Sequence, residues 1–92
     1  RDQFGYAQGP GSITTHAVDV AVGDVWLNAD GDGLCVTALD ASGRNVACGY
    51  PGDECAQSVY RKIVWQGDRP KGLCRVQVHL SVGERLYSVR VS

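Results

Sequence analysis

Four cysteines are the residues of this 92-residue chain whose type and spacing most directly imply chemistry. Cys35, Cys48, Cys55 and Cys74 form no Cys-x-x-Cys pair, and the two histidines do not complete a zinc-finger spacing. An even number of cysteines in so short a chain is typical of a disulfide framework formed in an oxidising compartment. The sequence therefore predicts two disulfides and an extracellular or periplasmic location, against the alternative of four buried thiols in a cytosolic domain.

The four cysteines allow three pairings. We favour Cys48–Cys55, which would close residues 49–54 into a loop, nested inside Cys35–Cys74. Cys35 and Cys74 each follow Gly-Leu at the start of a similar apolar segment, so two strands could bring their Cα atoms to the roughly 4.4–6.8 Å that a disulfide requires. The main alternative is Cys35–Cys48 with Cys55–Cys74, because its first bond would join facing residues across a hairpin.

A calcium site is the second candidate, carried by oxygen ligands at alternate positions. Asn28, Asp30 and Asp32 precede Gly33 as in the opening of a calcium-binding loop. The bidentate Glu expected at position 12 of such a loop is Leu39, however, and a hairpin turn by itself explains an Asp-Gly-Asp-Gly sequence. We therefore predict no cofactor, with calcium at Asn28, Asp30 and Asp32 as the less favoured alternative.

Residue types used in catalysis are present, but no catalytic motif surrounds them. No serine lies within Gly-x-Ser-x-Gly. His79 falls on the polar face of its predicted strand, where a solvated imidazole is a commoner explanation than a general base. His16 shares a face with Val18 and Val20, as expected of a hydrogen-bonded histidine in the core or at an edge. We predict that the chain is not an enzyme.

Aromatic side chains are the candidate binding residues. Trp26 lies between Val25 and Leu27 and is exposed if those two side chains face the core. Tyr60 and Trp65 fall on opposite faces of one predicted strand. Exposed aromatic rings stack on sugars and anchor protein partners, whereas a small core can also use tryptophan as filler. The predicted binding residues are Trp26, Tyr50, Tyr60 and Trp65.

The clearest element is residues 72–80, where apolar and polar side chains alternate strictly. Similar alternation, punctuated by glycine turns every eight to twelve residues or so, predicts further strands at 13–22, 25–29, 34–39, 45–49, 58–65 and 86–91, with a loop at 50–57. No stretch has the helical period. The sequence therefore predicts an all-β fold, an antiparallel β-sandwich of jelly-roll or Ig-like type or a small barrel, with seven to eight strands. Residues 1–12 form a leader or edge segment, and residues 13–92 form one domain.

The charge distribution excludes several classes of partner. The net charge is −1, although residues 1–46 carry −4 and residues 47–92 carry +3. A solvated basic face explains the second half, and the basic residues lack the interleaved aromatics of a nucleic-acid site. No apolar run approaches the roughly 18 residues of a membrane span. We predict neither a nucleic-acid nor a membrane partner, and the oligomeric state stays open.

Four segments together resemble a known family. They are residues 18–24 (Val-Asp-Val-Ala-Val-Gly-Asp), 34–44 (Leu-Cys-Val-Thr-Ala-Leu-Asp-Ala-Ser-Gly-Arg), 72–78 (Gly-Leu-Cys-Arg-Val-Gln-Val) and 86–91 (Leu-Tyr-Ser-Val-Arg-Val). In this order, from Thr15 onward, the chain resembles the bacterial pre-peptidase C-terminal domain. The resemblance implies a non-catalytic sandwich attached to, or released from, a secreted hydrolase, with a role in binding polymeric substrate, in secretion or in stabilising the enzyme. Some such domains are similar to collagen-binding domains that use surface tyrosines and calcium.

Three functions follow from these observations. The first is a secreted, disulfide-bonded binding module that performs no chemistry and takes a protein or polysaccharide partner. The second is a small secreted inhibitor or effector that acts through the 48–55 loop, since a loop tied at both ends loses little entropy on binding. The third is a carbohydrate-binding lectin that uses Trp26, Tyr50 or Trp65.

Overall fold

The computed structural model describes the backbone of residues 2–15, 17–20, 23–31, 33–56 and 59–91, and the side chains of these residues from Ala7 onward. Nine β-strands and no helix occur in this part of the chain, which confirms the all-β prediction. The strands are β1 (Asp2–Gln8), β2 (Gly11–Thr14), β3 (Val18–Asp19), β4 (Val25–Asp30), β5 (Cys35–Leu39), β6 (Asn45–Ala56), β7 (Tyr60–Gln66), β8 (Leu73–Leu80) and β9 (Arg85–Val91). Consistently, no helix long and apolar enough to cross a membrane is found among the described residues.

The strands form one antiparallel sheet in the order β1-β9-β4-β7-β6-β5-β8-β2, and β3 pairs with β8. Eight strands spaced by about 4.8 Å would make a flat sheet about 34 Å wide. The largest extent of the molecule is only 30 Å, so the sheet curls on itself. Its two edges, β1 and β2, are consecutive in the chain and are joined through Gly9 and Pro10. The result is nearly a barrel, which corresponds to the small-barrel alternative rather than to two separate layers.

One interior collects the inward side chains of the sheet. Along β8 the alternation predicted from sequence is present, since Cys74, Val76, Val78 and Leu80 are all buried. Valines and leucines of β4, β5 and β9 complete the same cluster. Each fully buried valine or leucine contributes about 1.5–3 kcal/mol relative to an exposed one, so this cluster is the main source of stability.

The strand predicted at 13–22 is wrong, because the chain forms two short strands with a break between them. β2 ends at Thr14, and β3 contains only Val18 and Asp19. At the break, the Thr15 hydroxyl accepts a hydrogen bond from the Val76 amide at 3.0 Å, while the Thr15 amide donates to the Val76 carbonyl at 2.9 Å. A side chain thus replaces the backbone acceptor, and the regular ladder ends there. His16 lies outside the described residues.

The loop predicted at 50–57 is also wrong, because β6 continues through this segment to Ala56. Tyr50 faces Val64 and Pro51 faces Ile63 on β7, and a bulge between Pro51 and Cys55 accommodates the turn-like residues of the segment. The Arg61 guanidinium donates to the carbonyls of Pro51 at 3.1 Å and Gly52 at 3.0 Å, which satisfies acceptors at the bulge. The inhibitor prediction therefore loses the tethered loop on which it depended.

The two predicted disulfides are absent, and all four cysteines are free thiols. Cys48 faces Gln66 and Cys55 faces Arg61, so the two sulfurs belong to positions five residues apart along β7. That offset is roughly 16 Å, whereas a disulfide cannot form when the Cα atoms are more than about 7 Å apart.

The other pairings are separated in the same way. Cys35 faces His79, which is five residues from Cys74 on β8, and Cys35 is exposed while Cys74 is buried. Cys48 faces Thr37 rather than Cys35, which places the two cysteines roughly 8 Å apart on a diagonal. Cys55 lies beyond the Cys35 end of β5 and Cys74 lies beyond its Leu39 end, so the full length of β5 separates these two cysteines. These offsets between paired strands could not be inferred from the spacing of the cysteines in the sequence.

Candidate binding surface

An apolar patch lies on the outward face of β6 and β7. Tyr50 and Val64 face one another across the two strands, and 45% of Tyr50 and 42% of Val64 are exposed. Val46, which is 47% exposed, points outward four residues before Tyr50. The inward neighbours Gly49 and Ile63 are buried, so strand alternation places Tyr50 and Val64 in solvent, whereas Val46 is exposed at an irregularity in the pairing of β5 with β6. We call Val46, Tyr50 and Val64 the β6–β7 patch.

Polar side chains border the Tyr50–Val64 pair of the β6–β7 patch. Gln66 is exposed, faces Cys48 and lies on the side of the pair toward Val46. At the other end Lys62, two residues from Val64, forms ion pairs with Glu54 at 3.5 Å and with Asp24 at 3.9 Å. Exposed pairs of this kind contribute little to stability. Their arrangement around an apolar centre is nevertheless the composition that protein interfaces have, with charge at the rim.

Trp26 is half-buried rather than a free binding ring. Val25 and Leu27 face the core, so Trp26 points outward. It stands between Lys62 of β7 and Arg90 of β9, which are its direct partners in the two ladders. The indole N–H is buried and has no hydrogen-bond partner among the described residues. These neighbours leave only part of the ring accessible to a ligand.

Tyr60 and Trp65 lie on opposite faces of β7, and neither ring is freely exposed. Tyr60 is buried, its hydroxyl lies 2.8 Å from the Ser88 hydroxyl, and the Arg90 guanidinium stacks 5.6 Å from the ring centre. Trp65 is half-buried and packs against the core opposite Gly49, where an added Cβ would lie 3.0 Å from the ring. Of the four predicted binding residues, Tyr50 alone is exposed.

The proposed calcium ligands do not form a cluster among the described residues. Asn28 is half-buried and faces Ser88, whereas Asp30 accepts a hydrogen bond from the Tyr87 hydroxyl at 3.0 Å. Asp32 lies outside the described residues. In the part of the chain that the structure describes, no group of three or more His, Cys, Asp or Glu side chains is arranged to hold a metal ion. Calcium at Asn28, Asp30 and Asp32 stays the less favoured alternative to no cofactor.

Glu84 is a buried carboxylate that sequence reasoning missed. One of its oxygens accepts from the Ser81 amide at 2.6 Å and the other from the Gly33 amide at 2.9 Å, while its backbone carbonyl accepts from the Gly9 amide at 2.9 Å. The bond from Ser81, followed by the bond from Gly33, lowers the pKa of Glu84 below its ordinary value, against the opposing effect of burial. Glu84 thus joins three turns at one end of the barrel. The glycines at 31 and 33 were the available signal, since a Cβ at Gly31 would lie 2.6 Å from this carboxylate.

The structure also brings together three side chains that the sequence analysis kept apart. Cys35 faces His79 across β5 and β8, and both point outward with Thr37. The Thr37 hydroxyl lies 2.9 Å from Nε2 of His79. The thiol, the imidazole and the hydroxyl therefore lie together on the outward face of the sheet, where Cys35 is exposed, His79 is half-buried and Thr37 is buried.

Comparison with known proteins provides no independent support for the candidate binding surface. No family model matches the chain, and no curated protein or solved structure matches it either. The similarity to pre-peptidase C-terminal domains therefore stays a prediction from the four sequence segments.

Proposed function

We propose that this chain is a non-catalytic binding module that docks a protein partner through the β6–β7 patch. The observation that carries the proposal is the adjacency of Tyr50 and Val64, two exposed apolar side chains that face one another on neighbouring strands. Exposed apolar groups rimmed by polar residues mark interaction sites on soluble proteins. Tyrosine is among the residues that most often supply binding energy at such sites.

A protein partner fits the patch better than a polysaccharide does. Sugar recognition uses flat, accessible aromatic rings, and Trp26 and Trp65 are half-buried while Tyr60 is buried. The aliphatic Val64 lies directly opposite Tyr50, and Val46 lies further along β6 beyond Cys48; aliphatic side chains of this kind pack against apolar side chains of another protein. The polar rim formed by Gln66 and by the Lys62–Glu54 pair suits the border of a protein interface.

The biological setting belongs to the same proposal. Association with a secreted hydrolase, and with it an extracellular or periplasmic location, rests on the similarity to pre-peptidase C-terminal domains. The location no longer draws support from disulfides, because the four thiols are apart. The hydrolase itself, or a protein that it acts on, is the kind of partner that we expect to contact Tyr50.

The test compares a patch variant with a matched control. The wild-type chain, Y50S/V64T and the control V59T/V82S are immobilised and exposed to secreted proteins of the source organism, and the captured proteins are identified by mass spectrometry. The control removes exposed apolar area at Val59 and Val82, which lie in turns outside the patch. Each captured protein is then purified, and its Kd for all three chains is measured.

We expect one captured protein to bind the patch variant at least about tenfold more weakly than it binds the other two chains, as for the loss of an interface anchor. Unfolding curves of the three chains establish that each is folded. A partner that binds all three equally would contradict the proposal, and so would a glycan array in which the wild-type chain binds a polysaccharide through Tyr50.

A further inference from the structure

Cys35 is an exposed thiol placed directly opposite an imidazole. In the antiparallel ladder of β5 and β8 its partner is His79. Directly opposed residues of such a ladder have Cβ atoms about 4.5–5.5 Å apart, so rotation of the Cys35 side chain can bring its sulfur to the imidazole. On its other side His79 faces Ser12 of β2, and this residue is uncharged, as are the neighbouring outward positions Thr37 on β5 and Gln77 on β8.

The orientation of the imidazole is fixed by a third residue. Thr37 is buried, and its hydroxyl lies 2.9 Å from Nε2 of His79. When Nε2–H donates to this hydroxyl, the other ring nitrogen, Nδ1, carries a free lone pair. A nucleophile, a base and a group that orients the base are the three parts of an activated nucleophile, and in the free protein the bond between the first two is often long.

We propose that Cys35 is a modification site that undergoes thiol–disulfide exchange with small disulfides, with His79 acting as the base. Nδ1 accepts the proton of the thiol while the sulfur attacks one sulfur of the disulfide. The bond between the two sulfurs of the small molecule breaks, a mixed disulfide forms on Cys35, and the departing thiolate takes the proton from His79. The small disulfide supplies the oxidising equivalent, and each exchange releases one small thiol.

The other three thiols lack this combination of exposure and a facing imidazole. Cys55 is exposed but faces Arg61, and its thiol lies 3.5 Å from the Asp53 carbonyl. Cys48 is half-buried. Cys74 is buried, and desolvation raises the pKa of its thiol above the ordinary value. Among the described residues Cys55 is therefore the natural reference for an exposed thiol without a base.

The test measures the two exposed thiols within one molecule. In a Cys48→Ser background, trypsin cleavage after Arg44 and Arg61 places Cys35 and Cys55 on separate peptides. The folded chain is incubated with oxidised glutathione, quenched at intervals, and the mixed disulfide on each peptide is quantified by mass spectrometry. The same measurement is made on His79→Gln, on Thr37→Val and on the control Gln77→Ala, across a range of pH.

We expect Cys35 to react at least about tenfold faster than Cys55 near neutral pH, a small part of what general-base assistance supplies in enzymes. His79→Gln should bring the rate and its pH profile to those of Cys55, Thr37→Val should reduce the rate, and Gln77→Ala should leave it unchanged. Equal rates at Cys35 and Cys55, or a rate at Cys35 that survives His79→Gln, would overturn the proposal. Melting curves of each variant, and the unchanged rate at Cys55, separate loss of the base from loss of the fold. The outcome does not depend on the β6–β7 patch.

Discussion

Replacing Glu84 with glutamine should weaken the end of the barrel where three turns meet. The two carboxylate oxygens accept from different amides, those of Ser81 and Gly33. A glutamine of the same shape keeps one acceptor oxygen and presents an NH₂ group to the other amide. One buried donor then has no acceptor, and the remaining bond is no longer made to a charged group.

The size of the effect follows from these two bonds. A hydrogen bond to a charged group contributes about 1.5–3 kcal/mol, and an unsatisfied buried donor costs about 1–3 kcal/mol. We therefore expect E84Q to lower the free energy of unfolding by about 2–3 kcal/mol. For a domain of this size each kcal/mol corresponds to roughly 4–8 °C, so the melting temperature should fall by at least about 8 °C.

The same carboxylate should make the stability depend on pH in a definite direction. The pKa of Glu84 is lowered in the folded state, first by the Ser81 amide, so the unfolded chain binds the proton more readily. Its contribution is complete above the unfolded pKa, which lies near the ordinary 4.5, and is lost as the pH falls through the lower folded pKa. The difference between wild type and E84Q should therefore be largest at neutral pH and should shrink in acid.

Urea unfolding followed by tryptophan fluorescence, at about pH 7 and about pH 3, measures both effects. E54Q is the matched control, because Glu54 is exposed and pairs with Lys62 alone among the contacts described; it should change stability by less than about 1 kcal/mol. If E84Q is no less stable than E54Q at neutral pH, or if its deficit is the same in acid, the account of Glu84 is refuted.

Two further predictions concern the thiols and the close packing of β6 on β7. A reductant should leave the melting temperature of the chain unchanged, because no disulfide joins the cysteines; a fall of more than about 5 °C would show that a stabilising disulfide exists. Gly49→Ala should cost about 1–3 kcal/mol, because the new Cβ would lie 2.8 Å from the Val64 carbonyl and from Ile63, whereas Gly33→Ala, whose Cβ would meet Glu84 at an ordinary 3.6 Å, should cost less in the same urea titration. Equal losses in the two alanine variants would contradict this packing.

Period-two patterning predicted the interior well because it depends only on local geometry. Val76 and Val78 are buried, and the outward neighbour Arg75 is exposed, as the alternation requires. The same reasoning correctly put Val25 and Leu27 on one face of their strand and Trp26 on the other. It failed at Thr15, where a hydroxyl substitutes for a backbone carbonyl in the ladder, since such a bond depends on which strand comes alongside.

The register in which the strands pair explains the remaining differences between the sequence predictions and the structure. Whether Cys35 lies beside Cys74 or beside His79 depends on how far two strands slide past one another, and Gly-Leu-Cys at the start of both segments says nothing about that offset. The outward direction of Trp26 followed from alternation, but its partial burial depends on the long side chains of Lys62 and Arg90 from neighbouring strands. For the same reason the sequence offered Trp65 and Tyr50 as equal candidates, although only the latter is exposed.

The length of β6 affects how readily the protein aggregates at high concentration. Within the described residues β5 accompanies β6 only as far as Gly49, while β6 runs on to Ala56 with β7 on one side. An open strand flank of this kind is a template on which a foreign strand can grow into an aggregate. Here the flank contains Pro51, which has no amide hydrogen to offer, and a bulge that spoils its flatness, followed by the exposed acids Asp53 and Glu54, which repel an identical segment. The residues of β6 that the sequence predicted as a loop therefore disfavour pairing with another chain and growth into a fibre.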